Sequence, residues 1–380
     1  MYQAYQQYLA NLHNTGKYRQ LPELPTAKKY LNFTTNDYLN LSHHKHVMQA
    51  AKSAMEKYGV GSGGSRLLSG NSQLFENFET QIAQDKNTQA ALIFSSGFQA
   101  NISVLATLLD AKVWQAKPIV FFDKLNHSSL YQAVFLSAAE LQRYNHNDID
   151  HLSKLLAKFA NDLRPKFIIT ETIFGMDGDI LPIEKVAALA AEHRAFLYLD
   201  EAHSTGILGP NGYGLSTSTD LKNISAIIMG TFSKAIGCSG GYIACDQILK
   251  DYLINKAYGF IYSTAPSPMC IGAASKAWEM LKELEPQRKK LHKLSMLLRT
   301  SLKDLKMNIG LSNSHIVPII VGEEKQAIAL KDRLLENKIL VSCIRPPTVP
   351  PGTSRLRIAL NSTHSKSDIY KLLEVLQKVI

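Results

Sequence analysis

The stretch AIIMGTFSKAIG (226–237) decides how the rest of the chain is interpreted. Its first four residues are apolar and have the length of a buried strand, and Lys234 follows among glycine and small hydroxyl residues. A lysine at a strand's carboxyl end could form a Schiff base, with Thr231 and Ser233 donating hydrogen bonds to a phosphate. Considered alone, the stretch is explained better by a loop lysine that points into water. Other parts of the sequence must decide between the two.

Apolar runs of strand length recur along the middle of the chain, at Ala91–Phe94, Ile119–Phe122, Phe167–Ile169, Phe196–Leu199, Ala226–Met229 and Tyr242–Ala244. Helix-like stretches separate the first five runs, which predicts a parallel sheet covered by helices on both faces. Only the lysine loop lies between the last two runs. It is too short for a crossover, so Tyr242–Ala244 is predicted to run antiparallel to its neighbour.

Polar or glycine residues follow the first five runs directly, at Ser95–Phe98, Asp123–His127, Glu171–Thr172, Asp200–His203 and 230–237. Ligand residues of open α/β sheets lie beyond the carboxyl ends of the strands. We therefore expect these five segments to form one site around Lys234.

The residue types in these segments match the needs of an aldehyde cofactor bound to Lys234. Asp200 could hold a ring nitrogen protonated, so that the ring accepts electrons. His127 or Phe98 could lie over the ring. His203, three residues after Asp200, could donate to a phenolic oxygen.

Two glycine-rich stretches are candidates for phosphate binding. The amides of Gly97 and Phe98 would lie at a helix N-terminus, which favours an anion, and Thr231 could assist. GVGSGG (59–64) contains a literal G-x-G-x-x-G, but a helix precedes it and more loop follows. The dinucleotide-binding motif requires a strand before it and a helix after it, so this reading is rejected in favour of a permissive loop.

Each of these residues also has an ordinary structural explanation. Asp200 could be a helix N-cap, and His127 and His203 could be partly buried structural histidines. A metal site at Asp200 and His203 lacks a convincing third ligand, so no metal is predicted. The agreement of all five segments favours the cofactor.

The composition is that of an ordinary globular protein with about two domains: 380 residues, of which 45% are hydrophobic and 19% charged. The formal net charge is +10, but the basic residues are dispersed, and the densest cluster (288–290) is expected on the solvated face of a helix from 274 to 302. Nucleic-acid binding is therefore not expected. The four cysteines form no C-x-x-C pair, and neither a signal peptide nor a membrane-length apolar run is visible, so a cytoplasmic location is expected.

Three regions are predicted from the order of these patterns. Residues 1–45 form an N-terminal helix and a connecting segment, and residues 46–273 form a large α/β domain. Residues 274–380 form a smaller α+β domain with strands at His315–Val321, Leu340–Ile344 and Leu356–Leu360.

From about Leu31 onward, the chain resembles the α-oxoamine synthases, which are pyridoxal 5'-phosphate enzymes of the aspartate-aminotransferase fold. The resemblance rests on NDYLNLS (36–42), YGVGSGGSRLLSG (58–70), FSSGFQAN (94–101), DKLNHSS (123–129), YNHND (144–148), MDGD (176–179), DEAHSTGILGPNGYG (200–214) and GTFSKAIGCSGG (230–241). It implies an α/β fold with a mostly parallel seven-stranded sheet, a smaller α+β C-terminal domain and a homodimer with shared sites.

The stretch IRPPTVPPGTSRLRIAL (344–360) is most similar to the members that condense L-alanine with a pimeloyl thioester, on acyl carrier protein or coenzyme A, in biotin biosynthesis. Members that use glycine and acetyl-CoA are the alternative. Outside this class, a non-catalytic protein that binds pyridoxal phosphate or another anion would share the same motifs.

The resemblance also assigns roles to residues. Lys234 carries the cofactor, Asp200 pairs with its ring nitrogen, His203 contacts its phenolic oxygen and His127 stacks on its ring. Its phosphate is assigned to Gly97, Phe98 and Thr231, with Thr264 reaching the phosphate of a neighbouring subunit.

The residues expected to bind substrate lie near the two ends of the chain. Arg357 is expected to bind the amino acid's carboxylate, because a guanidinium matches a carboxylate bidentately. Arg355 is its rival, since strand alternation puts both on one face. Asn36 is expected near the substrate, and Arg19 is the candidate for the distal carboxylate of the pimeloyl group.

The sequence departs from the family pattern at several positions. Gly175 replaces a usual serine, Phe75 a histidine, Asn40 a glycine and Tyr213 an arginine, and the segment APSP (265–268) replaces ALPP. None of these positions is one of the four central residues, so we expect changes in fine contacts only.

Overall fold

The computed structural model describes residues 1–21 and 30–379, without the side chain of residue 379. Its helices are α1 Gln3–Asn14, α2 Lys45–Tyr58, α3 Gln73–Asp85, α4 Gly97–Leu108, α5 Ala111–Trp114, α6 Ser128–Ser137, α7 Ile149–Lys158, α8 Ile183–Glu192, α9 Gln247–Lys256, α10 Tyr258–Ile261, α11 Pro268–Met280, α12 Glu285–Asp304, α13 Glu324–Glu336 and α14 Lys366–Val379. Its strands are β1 Leu31–Asn32, β2 Ala90–Phe94, β3 Ile119–Asp123, β4 Glu140–Tyr144, β5 Lys166–Glu171, β6 Phe196–Asp200, β7 Ala226–Thr231, β8 Gly241–Cys245, β9 Ile316–Gly322, β10 Ile339–Leu340, β11 Ser342–Ile344 and β12 Ser354–Ala359. The predicted N-terminal connection lies partly outside the described residues. None of the helices described is both long and apolar enough to span a membrane.

By its contacts, the chain divides into two compact units. The large unit consists of Asp37–Phe174 and Leu181–Arg288, and the small unit of Met1–Asn36, Gly175–Ile180 and Lys289–Ile380. The sequence had placed residues 1–45 in a region of their own and a boundary at 273/274. In the structure, the large unit extends further because α11 packs against α2, where a Cβ on Gly272 would lie 2.5 Å from Ala54 Cβ.

The large unit is built on a seven-stranded sheet with the order β2-β8-β7-β6-β5-β3-β4. Strands β4, β3, β5, β6 and β7 pair with one another in parallel, and β8 is antiparallel to both β7 and β2. This confirms the predicted α/β class and the antiparallel run after the lysine loop. The apolar runs do not include β4, because this edge strand alternates between half-buried and exposed residues up to the buried Tyr144 and so lacks a continuous apolar run.

Helices cover both faces of this sheet and form two hydrophobic cores. One core contains Phe94, Val104 and Leu130, and the other contains Leu152 and Val186, all of them buried. The strands between the cores are buried along their length, which explains their continuous apolar sequences.

The single helix predicted from 274 to 302 is wrong. α11 ends at Met280, a 3-10 turn follows over Leu281–Glu283, and α12 begins at Glu285. Pro286 fits the first turn of a helix but not its interior, which places the break here. The prediction that Arg288 lies on the solvated face of this helix is also wrong. Its guanidinium is buried and donates to Leu281 O and to Glu285.

In the small unit, β12 lies between β9 and β11 in an antiparallel three-stranded sheet. The predicted strand Leu340–Ile344 is divided, because β10 pairs with β1 in a separate two-stranded parallel sheet while β11 pairs with β12. In the chain, α13 follows β9 and α14 follows β12.

Candidate active site

The parallel strands of the large unit bring the predicted segments to one edge of the sheet. β5 ends at Glu171 and β6 ends at Asp200, and these two residues are direct neighbours in register. β7 ends at Thr231, at the start of the lysine loop. Lys234, Asp200, His203 and His127 therefore belong to one region of the large unit.

Lys234 contacts His203 directly. Lys234 Nζ lies 2.8 Å from His203 Nε2, and His203 Nδ1 lies 2.7 Å from Tyr38 OH. The lysine loop turns at Gly237, whose φ of 70° lies in the left-handed region and where a Cβ would overlap Ser42 N. This tight turn holds the half-buried amine against the imidazole.

Asp200 is buried, and its carboxylate is fixed by two hydrogen bonds. Ala202 N donates to Oδ1 at 2.9 Å, and Asn101 Nδ2 donates to Oδ2 at 2.8 Å. Tyr198 OH in turn donates to Asn101 Oδ1 at 2.8 Å. Turns follow Asp200, and the next helical residues begin at Pro210, so the alternative that Asp200 caps a helix is wrong.

His127 is the residue that caps a helix. Its Nδ1 accepts from Ser129 N at 3.2 Å at the start of α6 and also lies 2.7 Å from Ser129 Oγ. Burial of the ring lowers the imidazole pKa and the positive charge of Lys234 lowers it further, against the opposing effect of Asp200. The neutral ring is therefore favoured near neutral pH.

Glu171 lies beside these groups and was noted in the sequence only as a strand end. Its Oε1 accepts a hydrogen bond from His127 N at 2.5 Å. Burial raises the pKa of this carboxyl well above its usual value, and the negative charge of Asp200 raises it further. Of the two paired carboxyls, Glu171 is thus the one that the surroundings push toward its protonated form.

The expected phosphate ligands meet at the N-terminus of α4, which begins at Gly97 after the N-cap Ser96. A Cβ on Gly97 would lie 3.3 Å from Thr231 Cβ, so this helix end approaches the lysine loop closely. Thr231 Oγ1 lies 2.9 Å from Ser233 Oγ and donates to Gly240 O. Phe98 is half-exposed at the same helix end.

Thr264 lies at the surface of the large unit. It forms an isolated antiparallel bridge with Ser65 in the glycine loop, and Ala265 N donates to Gly64 O at 2.9 Å. Two exposed residues, Leu67 and Leu68, follow Ser65 in the glycine loop.

Arg357, Asn36 and Arg19 belong to the small unit. The buried Arg357 donates from Nε to Gly175 O at 2.6 Å and from Nη2 to Asn36 Oδ1 at 3.0 Å. Arg355, its rival, is paired with Asp177 at 2.5 Å. Arg19 is exposed and donates to Thr348 Oγ1 at 2.8 Å.

The departures from the family pattern have local explanations. Phe75 is buried beneath the Arg66 guanidinium, 4.3 Å from its ring centroid. Asn40 has a φ of 56°, which asparagine tolerates better than most residues. Tyr213 stacks on Trp278, and burial together with Asp85 raises its pKa to about 12.

The residues of the large unit fit an aldehyde cofactor with a phosphate group. They offer an amine, a fixed carboxylate, an imidazole in contact with the amine, and a helix N-terminus with hydroxyl groups beside it. Within the described ranges, no three His, Cys, Asp or Glu side chains are grouped as metal ligands would be. Tyr38 contacts His203, and Asn101 donates to Asp200. Both residues lie within the sequence motifs, but the motifs do not indicate these roles.

Comparisons with known proteins identify the family of the chain. The family model described as aminotransferase class I and II matches residues 28–376. A relative from Paramagnetospirillum magneticum, named "Putative 8-amino-7-oxononanoate synthase", is 46% identical over 347 residues, which cover 91% of this chain and 88% of that protein.

Two solved structures are similar over most of their length. A serine palmitoyltransferase from S. paucimobilis, solved with pyridoxal phosphate and myriocin, matches with a TM-score of 0.89 and 26% identity, covering 100% of this chain and 97% of that one. The 8-amino-7-oxononanoate synthase of Francisella tularensis matches with a TM-score of 0.78 and 32% identity, covering 92% and 97% of the two chains.

Proposed function

The chain belongs to the class I and II aminotransferase family and, within it, to the α-oxoamine synthases, and on this premise we propose that it acts in biotin biosynthesis. It is an acyltransferase that depends on pyridoxal phosphate. The proposed reaction condenses L-alanine with a pimeloyl thioester to give 8-amino-7-oxononanoate, CO2 and a free thiol. The donor is pimeloyl-[acyl-carrier protein] or pimeloyl-CoA.

One observation carries the proposal: the Lys234 amine lies 2.8 Å from His203 Nε2 at the sheet edge that also holds the buried Asp200 carboxylate. An amine, a donor and a carboxylate are the three groups through which a protein controls this cofactor. The choice of alanine and pimeloyl is supported by the relatives named 8-amino-7-oxononanoate synthase.

Bound pyridoxal phosphate supplies an electron sink for the amino acid's Cα. Asp200, fixed by Asn101 and Ala202 N, holds a proton at the ring nitrogen. His203 would donate from Nε2 to the phenolic oxygen, and the neutral His127 would pack on the ring. Lys234 would hold the cofactor and, once a free amine, would remove the Cα proton as general base.

The remaining groups bind and orient. Gly97, Phe98 and Thr231 hold the phosphate, and Thr264 reaches the phosphate of the neighbouring subunit of a homodimer. Arg357 binds the alanine carboxylate, and its engagement with Gly175 O and Asn36 pre-orients the guanidinium. Arg19, which is exposed, is the candidate for the distal pimeloyl carboxylate.

A paired assay tests the proposed substrates. Release of the free thiol is measured with alanine and with glycine, each with a pimeloyl and an acetyl thioester, and release of CO2 is measured in parallel because only the proposed alanine reaction loses the carboxylate. We expect turnover with alanine and pimeloyl, on acyl carrier protein or coenzyme A. Turnover with glycine and acetyl-CoA alone would reassign the chain to glycine C-acetyltransferase. A protein that binds the cofactor but turns over none of these pairs would contradict the proposed activity.

A further inference from the structure

Tyr38 lies where three parts of the large unit meet. Its own segment (37–42) is fixed by Asp37, which accepts from Leu41 N at 2.9 Å and from Ser42 Oγ at 2.6 Å. This segment packs against the turn of the lysine loop, where a Cβ on Gly237 would overlap Ser42 N.

The turn after Asp200 completes this contact. A Cβ on Gly206 would lie 2.6 Å from Ala235 Cβ and 3.6 Å from Leu39 Cδ1. The segment 37–42, the turn carrying His203 and the loop carrying Lys234 are thus closely packed against one another. The fully buried Tyr38 side chain enters this junction and ends at His203.

Tyr38, His203 and Lys234 form a continuous line of hydrogen-bonding groups. The phenol lies 2.7 Å from Nδ1 on one side of the imidazole, and the amine lies 2.8 Å from Nε2 on the other side. A neutral imidazole carries one ring proton, so one nitrogen donates and the other accepts. The partner at Nδ1 therefore determines what Nε2 can do.

We infer that Tyr38 is a positioning residue that donates its hydroxyl proton to His203 Nδ1 and thereby keeps the ring proton on Nε2. With the proton there, Nε2 faces Lys234 as a donor, and its natural partner is the neutral amine rather than an ammonium group. The same tautomer suits the proposed role of His203, on which this inference rests: donation to a cofactor oxygen without a charge on the imidazole.

The opposite tautomer is also chemically consistent, and the test must distinguish the two. If Lys234 were an ammonium group donating to Nε2, the ring proton would lie on Nδ1, and the Tyr38 oxygen would accept a hydrogen bond from it. Three other titratable groups lie near Lys234. The positive charge of Lys234 lowers the pKa of His127 and of Glu171, and the negative charge of Asp200 raises both. Replacing Tyr38 with phenylalanine leaves these three groups in place.

The experiment is ¹⁵N NMR of the His203 ring in the purified protein, with and without pyridoxal phosphate. The chemical shifts of the two nitrogens identify the tautomer directly. We expect the proton on Nε2 in the wild type, and a substantial Nδ1-protonated population in Tyr38→Phe. A wild-type ring protonated on Nδ1, or an unchanged tautomer in Tyr38→Phe, would overturn the inference. The wild-type measurement decides even if the variant folds poorly.

Kinetics give a second readout. In Tyr38→Phe, the Lys234 ammonium form is no longer disfavoured, so the low-pH limb of the kcat profile should move to higher pH, with kcat near neutrality lower by roughly 10-fold. Tyr144→Phe is the matched control, because it removes another fully buried phenol hydroxyl, on the edge strand β4. An equal shift in both variants would point to a general structural effect and contradict a specific role for Tyr38. Because the tautomer is measured without substrates, a different amino acid preference of the enzyme would not affect it.

Discussion

Asp200 and Glu171 face each other in register on neighbouring strands, but the protein treats these two carboxyls differently. Asp200 is held by Asn101 and by Ala202 N. Burial and the negative charge of Asp200 raise the pKa of the Glu171 carboxyl. Glu171 is thus pushed toward its protonated form, while hydrogen bonds hold the Asp200 carboxyl where the cofactor's ring nitrogen is proposed to lie.

The raised pKa of Glu171 predicts how the protein's stability depends on pH. Because the folded-state pKa lies above the unfolded one, the stabilising contribution of the protonated carboxyl is complete below its usual pKa of 4.5 and is lost as the pH rises through the raised folded pKa. Glu171→Gln keeps an oxygen that accepts from His127 N but cannot ionise. As the pH rises from about 5 to about 8, the free energy of unfolding of the variant should increase relative to that of the wild type by on the order of 1 kcal/mol.

Urea unfolding at both pH values measures this difference. If the stability difference between Glu171→Gln and the wild type stayed constant from the lower to the higher pH, Glu171 would not be the group that titrates. His127→Gln is a useful comparison, since the lowered pKa of His127 acts in the opposite direction and costs stability only as the pH falls below about 6.5.

At this scale, the sequence predicted the groups that face the site but not the groups that hold them. Lys234, Asp200, His203 and His127 follow apolar runs directly, and strand ends of a parallel sheet must meet at one edge. Their roles stay predictions. Tyr38 and Asn101 act through tertiary contacts with residues far away in sequence. Asn101 lies one helical turn beyond Gly97, but only the folded structure shows that its amide reaches Asp200.

Among the secondary-structure elements, α3 and β6 are joined by a buried ion pair. Lys86, which follows α3, pairs with Glu201, which follows β6, and both side chains are inaccessible to solvent. Burial lowers the pKa of Lys86, but the charges of Glu201 and Tyr242 and the hydrogen bonds to both side chains together outweigh it, and the net effect is a raised pKa. Glu201 Oε1 also accepts from Ser216 N at 2.7 Å. The ion pair and the hydrogen bond from Ser216 N together fix Glu201, which lies in the chain between Asp200 and His203.

Removing only one partner of this pair should destabilise the protein strongly. Lys86→Met leaves the Glu201 carboxylate buried without its cation, which costs about 3–5 kcal/mol for such pairs. The double variant Lys86→Met with Glu201→Gln removes both charges and should recover most of that loss. Thermal unfolding of the wild type, of both single variants and of the double variant measures the difference. If the double variant were as unstable as the sum of both single variants, the charge pairing would not be the cause.

Element boundaries show where patterns in the sequence were insufficient. The apolar strands β2, β3, β5, β6, β7 and β8 were predicted because burial on both faces makes them continuously apolar. β4 has only one buried face at the sheet edge. The division between α11 and α12 was missed because the apolar spacing continues across the turn, although Pro286 marks the new start.

For the whole molecule, the predicted α/β class and smaller α+β region followed from the order of strand and helix patterns. The division into units did not, because the packing of α11 against α2 depends on small residues, such as Gly272 and Ala54, that leave no periodic signal. A surface near Thr264 bears on the assembly: Leu68 is 84% exposed beside the Ser65–Thr264 bridge. The proposed subunit contact is placed here because Thr264 is expected to reach the phosphate of the neighbouring subunit, and not because of this exposure alone.

This placement predicts that Leu68→Asp disrupts the homodimer. Light scattering should give twice the 42.2 kDa of one chain for the wild type and a value near one chain for the variant. Bound cofactor should fall with it, because Thr264 would no longer reach a neighbouring phosphate. Leu163→Asp is the matched control, since Leu163 is 100% exposed and lies in the turn between α7 and β5. A dimeric Leu68→Asp protein with full cofactor content would refute this location of the contact.

The central claim is that Lys234 holds the cofactor. Borohydride fixes an aldehyde cofactor permanently on the lysine amine that carries it, and peptide mass spectrometry then identifies that lysine. We predict a pyridoxyl adduct on Lys234, loss of the visible absorbance on reduction, and no adduct at this position in Lys234→Ala. An adduct on any other lysine of the wild-type protein, or a Lys234→Ala variant that keeps its colour and turnover, would contradict the account.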